Sequence, residues 1–374
     1  MSETQAFVRP TPIGAALSKG AGESARRRLE AVLIPILALL AGLFAFGLFL
    51  LAIGKSPVEF YQLVYRGGFG TWFSLQNTMQ RAAPLLLTAL CVALPAQLGL
   101  VVIGGEGAFV LGGLAAAAIG AAMPDAPGLI GMPVMALAGL CAGGVWIGAV
   151  GALRHYRGVN ETIASLLMAY IAIAFMQHVV EGPLRDPASL NKPSTTPLAD
   201  QLRIGEIPGM DVHWGFVVGI LACLVAGFVL SRTTFGFSAR IAGGNARAAA
   251  VQGLPVGRLI LTFTFAAGAA AGLAGMIEVA AIHGTANASL IAGYGYTGIL
   301  IAFLARQNPI AIIPMALIIG GIGAAGGLVQ RRMDLPDATV LVLQGILFVA
   351  ILVSETLSGR LLPALGLKTT GEAK

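Results

Sequence analysis

Four acidic residues, Glu106, Glu161, Glu278 and Glu355, stand in or at the ends of long apolar runs. A carboxylate in hydrocarbon is costly, so such groups serve a solute pathway, a proton relay or a helix terminus. A relay needs several of them facing one another at mid-depth. Glu106, Glu161 and Glu355 instead fall near the expected cytoplasmic ends of their runs, where water and helix N-termini stabilise a negative charge. That favours structural or interfacial roles for these three and leaves Glu278 as the strongest pathway candidate. His178 and His283 have no second His, Cys or carboxylate at ligand spacing, so neither metal binding nor catalysis is expected of them. Cys91, Cys141 and Cys223 lie singly inside apolar runs without CxxC spacing and read as small buried hydrophobes. No GxxxxGK[ST] segment occurs, so the chain is not expected to hydrolyse ATP by that route.

The runs that carry these residues are about 20 residues long, enough for a helix to cross ~30 Å of hydrocarbon. Hydrophobic residues make up 57% of the chain and charged residues 11%, against about 25% charged in soluble domains. This is the composition of an all-α, polytopic helical membrane protein. The 51 glycines fit close helix packing. The pairs Gly139/Gly143, Gly144/Gly148 and Gly268/Gly272 have the small-xxx-small spacing of packing faces. The net charge of +6 comes from basic residues dispersed between runs, so lipid is the expected surrounding and no nucleic-acid partner is implied.

Taken in order, about ten spans are expected, with eight or nine left open if one segment is re-entrant. Residues 1–30 read as a mobile cytoplasmic tail. The run from Ala31 is too long for a signal peptide and no cleavage site follows it, so it is the first span. The polar, aromatic stretch Lys55–Arg81 suits a membrane interface, and Pro84 and Pro95 interrupt the second span. The proline-rich stretch 181–213 reads as an external loop. Residues 283–290 are small and polar, and Gly320, Gly321, Gly323, Gly326 and Gly327 mark a thin or bendable ninth span. Residues 31–357 form the transmembrane domain and 358–374 a short tail. Lys and Arg concentrate on the loops shared with both termini, which places the N and C termini in the cytoplasm.

One of those loops is unlike the others. Between Ser231 and Arg258 stand Arg232, Arg240, Arg247 and Arg258 with no acidic residue. Its Ala-rich centre, Ala246–Val251, favours helix, while Phe235, Gly236 and Phe237 and then Gly253-Leu254-Pro255 punctuate its ends. It reads as a short, exposed basic helix held between two spans, a shape suited to touching a partner.

Three segments together resemble the permease subunits of bacterial ABC importers, in the branch that serves simple sugars, nucleosides and branched-chain amino acids. Gly243-Gly244-Asn245, Ala248-Ala249 and Gly253-Leu254 are similar to the cytoplasmic loop of that branch that docks the ATPase. Val102-Ile103-Gly104-Gly105-Glu106-Gly107 resembles its NIGxEGQ segment, with Val102 where Asn is usual and Ala108 where Gln is usual. Asn160-Glu161-Thr162-Ile163 with Met168–Ala172 resembles its NEVIxTLMLNYIA segment, most like the longer of two paired nucleoside permeases. Leu335-Pro336 with Gln344-Gly345 adds a weaker match.

The resemblance implies a separate ATPase subunit, with two fused ATPase domains, that binds ATP and magnesium; no cofactor is expected in this chain. It also implies a second, different permease subunit, an extracytoplasmic solute-binding protein, and a place in the bacterial inner membrane. Gly236, Arg240, Gly243, Gly244, Asn245, Ala248, Ala249 and Gly253 would couple to the ATPase. Gln97, Glu106, Asn160, Glu161 and Glu278 are the candidates for the pathway or its gate. The expected function is a permease subunit for nucleosides or related solutes. Simple sugars, branched-chain amino acids and ion-coupled transport through Glu278 stand as alternatives.

Overall fold

The computed structural model describes residues 36–336 and 338–357, with side chains through Ser354. The basic cluster Arg26-Arg27-Arg28, both tails and the Glu355 side chain lie outside the described residues. Among those described, seven helices are long and apolar enough to cross a membrane. They lie in Trp72–Ala96 (α3), Gly105–Ala122 (α4), Gly128–Arg157 (α5), Glu161–Glu181 (α6), Gly215–Arg232 (α7), Val256–Glu278 (α10) and Pro309–Ala324 continued by Gly326–Met333 (α12, α13). Three shorter apolar stretches contain Ile36–Ala52 (α1), Tyr294–Leu304 (α11) and Ala338–Leu357 (α14). The remaining helices are Pro57–Gly68 (α2), Thr234–Gly244 (α8) and Ala246–Val251 (α9).

Residues 50–344 form one compact unit; α1 through Phe49 and α14 from Gly345 belong to a second. Within the second, Gly42 permits close approach, since a Cβ there would stand 2.8 Å from Leu347. The larger unit is organised around α10, which packs on α3, α4 and α5. The approach is made by backbone: added Cβ atoms at Gly112, Gly143 or Gly268 would overlap the main chain of Gly272, Gly268 and Gly143 respectively. Gly139 packs on Gly272 and Met276 in the same crossing. Two of the three small-residue pairs therefore do form one contact, the small-residue packing that membrane helices favour.

Several expected boundaries move. Lys55–Arg81 is largely helical: Ser56 caps α2, Pro57 opens it, and α3 begins at Trp72. The exposed aromatics of this stretch, Tyr65, Trp72 and Phe73, stand on these two helices. Pro84 does not interrupt α3, which runs on through it to Ala96. It removes one helical hydrogen bond and leaves the Gln80 carbonyl without its usual donor. The apolar run that follows the small, polar residues 283–290 is helical only as α11, 11 residues long, or about 16 Å, half a membrane crossing. The glycine-dense ninth segment does break, at Ala325 between α12 and α13. There Gly67 and Gly68 of α2 are seated against Ala325 and Gly321.

The 182–213 segment is zipped onto the chain beyond α10. Thr195 N donates to Ala286 O (3.0 Å), Leu198 N to Gly284 O (2.8 Å) and Ile204 N to Ala280 O (3.0 Å). It also straps α3: the Gln80 side chain donates to Asp211 O. Turned to accept, the Gln76 amide oxygen takes hydrogen bonds from Trp72 Nε1 (3.2 Å) and Asp211 N (3.0 Å). His213 is buried at this strap, its ring set against the Gln80 carbonyl without a well-aligned hydrogen bond at either nitrogen.

Candidate translocation site and coupling surface

At the Trp72 end of α3 a cavity of about 570 Å³ is lined by Ser74, Asn77, Gln80, Arg81, Glu278, Tyr294 and Arg331, with Phe73 and Leu328 among its apolar walls. The volume lies within the roughly 300–1,000 Å³ range of small-molecule sites. Arg81 sits nine residues into α3 and Glu278 closes α10. The Tyr294 hydroxyl and the Glu278 carboxylate stand side by side in its wall, and Arg81 is near enough for its charge to act on both. His283 Nε2 lies 3.6 Å from Glu278 Oε1. A histidine that looked isolated in sequence therefore has a carboxylate partner, because the π-helical turn Val279–His283 folds it back over the end of α10.

Glu106 reaches this cavity indirectly. Its Oε1 accepts from Gly293 N (2.8 Å) and its Oε2 from Gly295 N (2.6 Å), so the carboxylate caps the N-terminus of α11. That end of a helix carries unpaired donors and positive potential. Tyr294, between the two donors, is thereby held over the cavity, packed on Phe109 at 5.6 Å. Glu106 thus meets a helix N-terminus as expected, although it is not level with the start of α6. A Cβ at neighbouring Gly107 would lie 2.7 Å from Ala169 Cα, eight residues past the start of α6, or about 12 Å along it. Residues 97–104 are non-helical and lead into α4, so α4 begins part-way along α6, with Gly104 against Ser165, rather than level with its start.

At the other end of α3 the basic stretch folds as two helices rather than one. Phe235, Gly236 and Phe237 belong to α8 instead of punctuating it. Asn245 ends α8 and caps α9, its Oδ1 accepting from Ala248 N at 3.0 Å. Ala239, Ala242 and Ala249 are buried with Leu98, Leu230, Leu259 and Phe263 from the ends of α3, α7 and α10. Phe235 stacks on Phe263 at 4.9 Å. Arg240 Nη1 donates to Leu230 O (2.7 Å) and so satisfies the end of α7 rather than standing free. Gly243 is pressed on the main chain at Gln97, and Gly236 on that at Leu230. Gly253, at φ +84°, makes the turn into α10. The outer face of the knob, with Phe237, Gly244, Arg247, Ala248 and Val251, is exposed.

These features, a polar cavity bounded by short helices and a two-helix knob at the far end of one spanning helix, are those of a transport subunit. The sequence family described as the permease component of the branched-chain amino acid transport system matches residues 74–352. The chain belongs to this permease family. It is 31% identical over 332 residues (86% of this chain and 87% of the relative) to the glucose ABC transporter permease protein TsgB13 of Haloferax volcanii. It is 30% identical over 337 residues (87% and 94%) to the guanosine ABC transporter permease protein NupP of Bacillus subtilis. It is 26% identical over 301 residues (77% and 81%) to the nucleoside ABC transporter permease protein NupB of Lactococcus lactis. The permease is thus a multi-pass membrane transport subunit of the ABC class and not itself an enzyme; the family works with ATPase and solute-binding partners.

The five pathway candidates do not share one place in the permease. Glu278 lines the cavity and Glu106 holds α11 from behind it. Gln97 is remote: its Nε2 donates to Gln307 O (3.1 Å) and its main chain seats Gly243. Asn160 caps α6 by accepting from Ile163 N (3.1 Å), and Glu161 Oε2 stands 3.3 Å from Arg154 Nε at the same end. Both lie beside the 97–104 segment, which Thr162 holds by donating to Val101 O (2.9 Å). Arg81, Asn77 and Tyr294 were not singled out in sequence. Arg81 ends the stretch that reads as interfacial, and Tyr294 belongs to no motif; a basic residue immediately before a predicted span was the available signal for Arg81.

Proposed function

We propose that this chain forms the translocation pathway of an ATP-driven importer of nucleosides or related solutes in the bacterial inner membrane. The observation that carries the reading is the span of α3. Arg81 lines the cavity and Gln97 seats Gly243 of the knob, about 24 Å apart on one helix at 1.5 Å per residue. A push on α8–α9 is delivered along a stiff element to the cavity wall, as alternating access requires. The exposed knob docks an ATPase with two fused ATPase domains, which holds the ATP and magnesium. A second permease subunit completes the pathway, and an extracytoplasmic binding protein delivers the solute over the 182–213 segment.

The nucleoside class follows the relatives named for guanosine and nucleosides. The relative named for glucose supports simple sugars as the second reading. The test is copurification from detergent extract, then ATPase assay and uptake of uridine, adenosine, ribose and glucose into vesicles holding the copurified partners. ATP-dependent uptake of a nucleoside is the expected result. Uptake that follows a proton gradient, needs no ATP and is lost in Glu278→Gln would replace this reading with ion-coupled transport.

A further inference from the structure

A second cavity, of about 290 Å³, lies beyond the first and is lined by Leu85, Thr297, Ile319, Val340 and Gln344. Two side chains, Arg81 and Tyr294, line both cavities. They stand between an outer and an inner chamber, and Glu278 lines the outer chamber beside them, close enough to interact with the Tyr294 hydroxyl and the Arg81 charge. Polarity continues inward, where Thr297 Oγ1 and Gln344 Oε1 are 3.4 Å apart.

We propose that Arg81, Glu278 and Tyr294 are a selectivity constriction that admits uncharged solutes bearing hydroxyl groups. Opening the constriction separates the Tyr294 hydroxyl from the carboxylate and leaves both in a poorly solvated space, at a cost unless new partners arrive. Vicinal hydroxyls of a ribose or hexose supply a donor for Glu278 and an acceptor for Arg81 together. An apolar solute leaves these groups unpaired. A charged solute pairs with one of Arg81 and Glu278 and leaves the other without its partner. A site that hydrogen-bonds a hydroxyl rejects the analogue lacking it far more strongly than an apolar pocket discriminates by size. The inference rests on the uptake reading above and adds a filter in the permease itself, separate from the choice made by the binding protein.

The test compares uridine with 2′,3′-dideoxyuridine in vesicles containing the complete transporter, for the unaltered chain, Tyr294→Phe and Glu278→Gln. The quantity read is the ratio of kcat/KM for the two solutes. Discrimination by the binding protein is common to every preparation and cancels when ratios are compared. Tyr294→Phe, which removes only a hydroxyl, is expected to lower the preference for uridine by about tenfold, the size of one hydrogen bond to a charged group, and Glu278→Gln by at least as much. If both solutes slow in equal proportion, the residues are structural and the filter is overturned. If the unaltered transporter imports neither uridine nor a sugar, the uptake reading fails and this inference fails with it.

Discussion

A single carboxylate at Glu106 organises the inner end of α11. It is fully buried, and its two oxygens answer the N–H groups of Gly293 and Gly295. Glu106→Ala strands both donors, which costs about 2–4 kcal/mol, and releases Tyr294 from the constriction. A fall in melting temperature of the purified protein in detergent checks the first effect, and loss of uptake with partner binding retained checks the second. Glu106→Gln keeps one acceptor and is expected to lose less. The importance of Glu106 was legible in sequence, because an acid in an apolar run demands an explanation. Its depth was not, since Gly104-Gly105-Glu106-Gly107 has the composition of a surface turn and only Ala169 across the contact reveals where it lies.

At the scale of elements, the knob divides into parts that bear on the membrane helices and parts that face outward. Gly243 has no room, since a Cβ would overlap the Gln97 carbonyl, whereas Gly244 has nothing within 4 Å. Gly243→Ala is therefore expected to lift α8 off α3 and cut ATP-dependent uptake at least about tenfold, with membrane insertion intact. Gly244→Ala meets nothing within the chain, so it is expected to leave α8 seated on α3 and to lower uptake less than Gly243→Ala does. Equal uptake by both variants would remove α8 from the coupling route. The helical content of Ala246–Val251 was readable from its alanines, and α9 has those bounds. The second helix was hidden because Phe235, Gly236 and Phe237 look like breakers, and the packing of Phe235 on Phe263 that makes them helical is a tertiary contact.

For the molecule as a whole, the spans followed from the length and polarity of the runs, since a bilayer leaves the backbone few alternatives. Which helix stops half-way did not, because it depends on what caps it inside. The strap of 182–213 over α3 adds a pH dependence to the stability of the whole. Burial holds the His213 imidazole below its usual value, against the opposing pull of the Gln80 carbonyl. The unfolded chain then binds the proton more readily than the folded one, so this contribution is intact above about pH 6.5 and declines as pH falls below it. Melting curves from pH 8 to pH 5 should show the decline, and His213→Phe should flatten it; an equal slope in both proteins would assign the effect elsewhere.

The crossing of α4, α5 and α10 has a longer reach. Gly112, Gly139, Gly143, Gly268 and Gly272 meet there through main-chain atoms, so the join has no side chains to exchange for others. The cavity walls, by contrast, are made mostly of side chains, which substitution can change in size and polarity without moving the backbone. Divergence toward a new solute therefore has material to work on at the chamber and almost none at the crossing, and a lineage of such permeases can change its solute while inheriting the same frame.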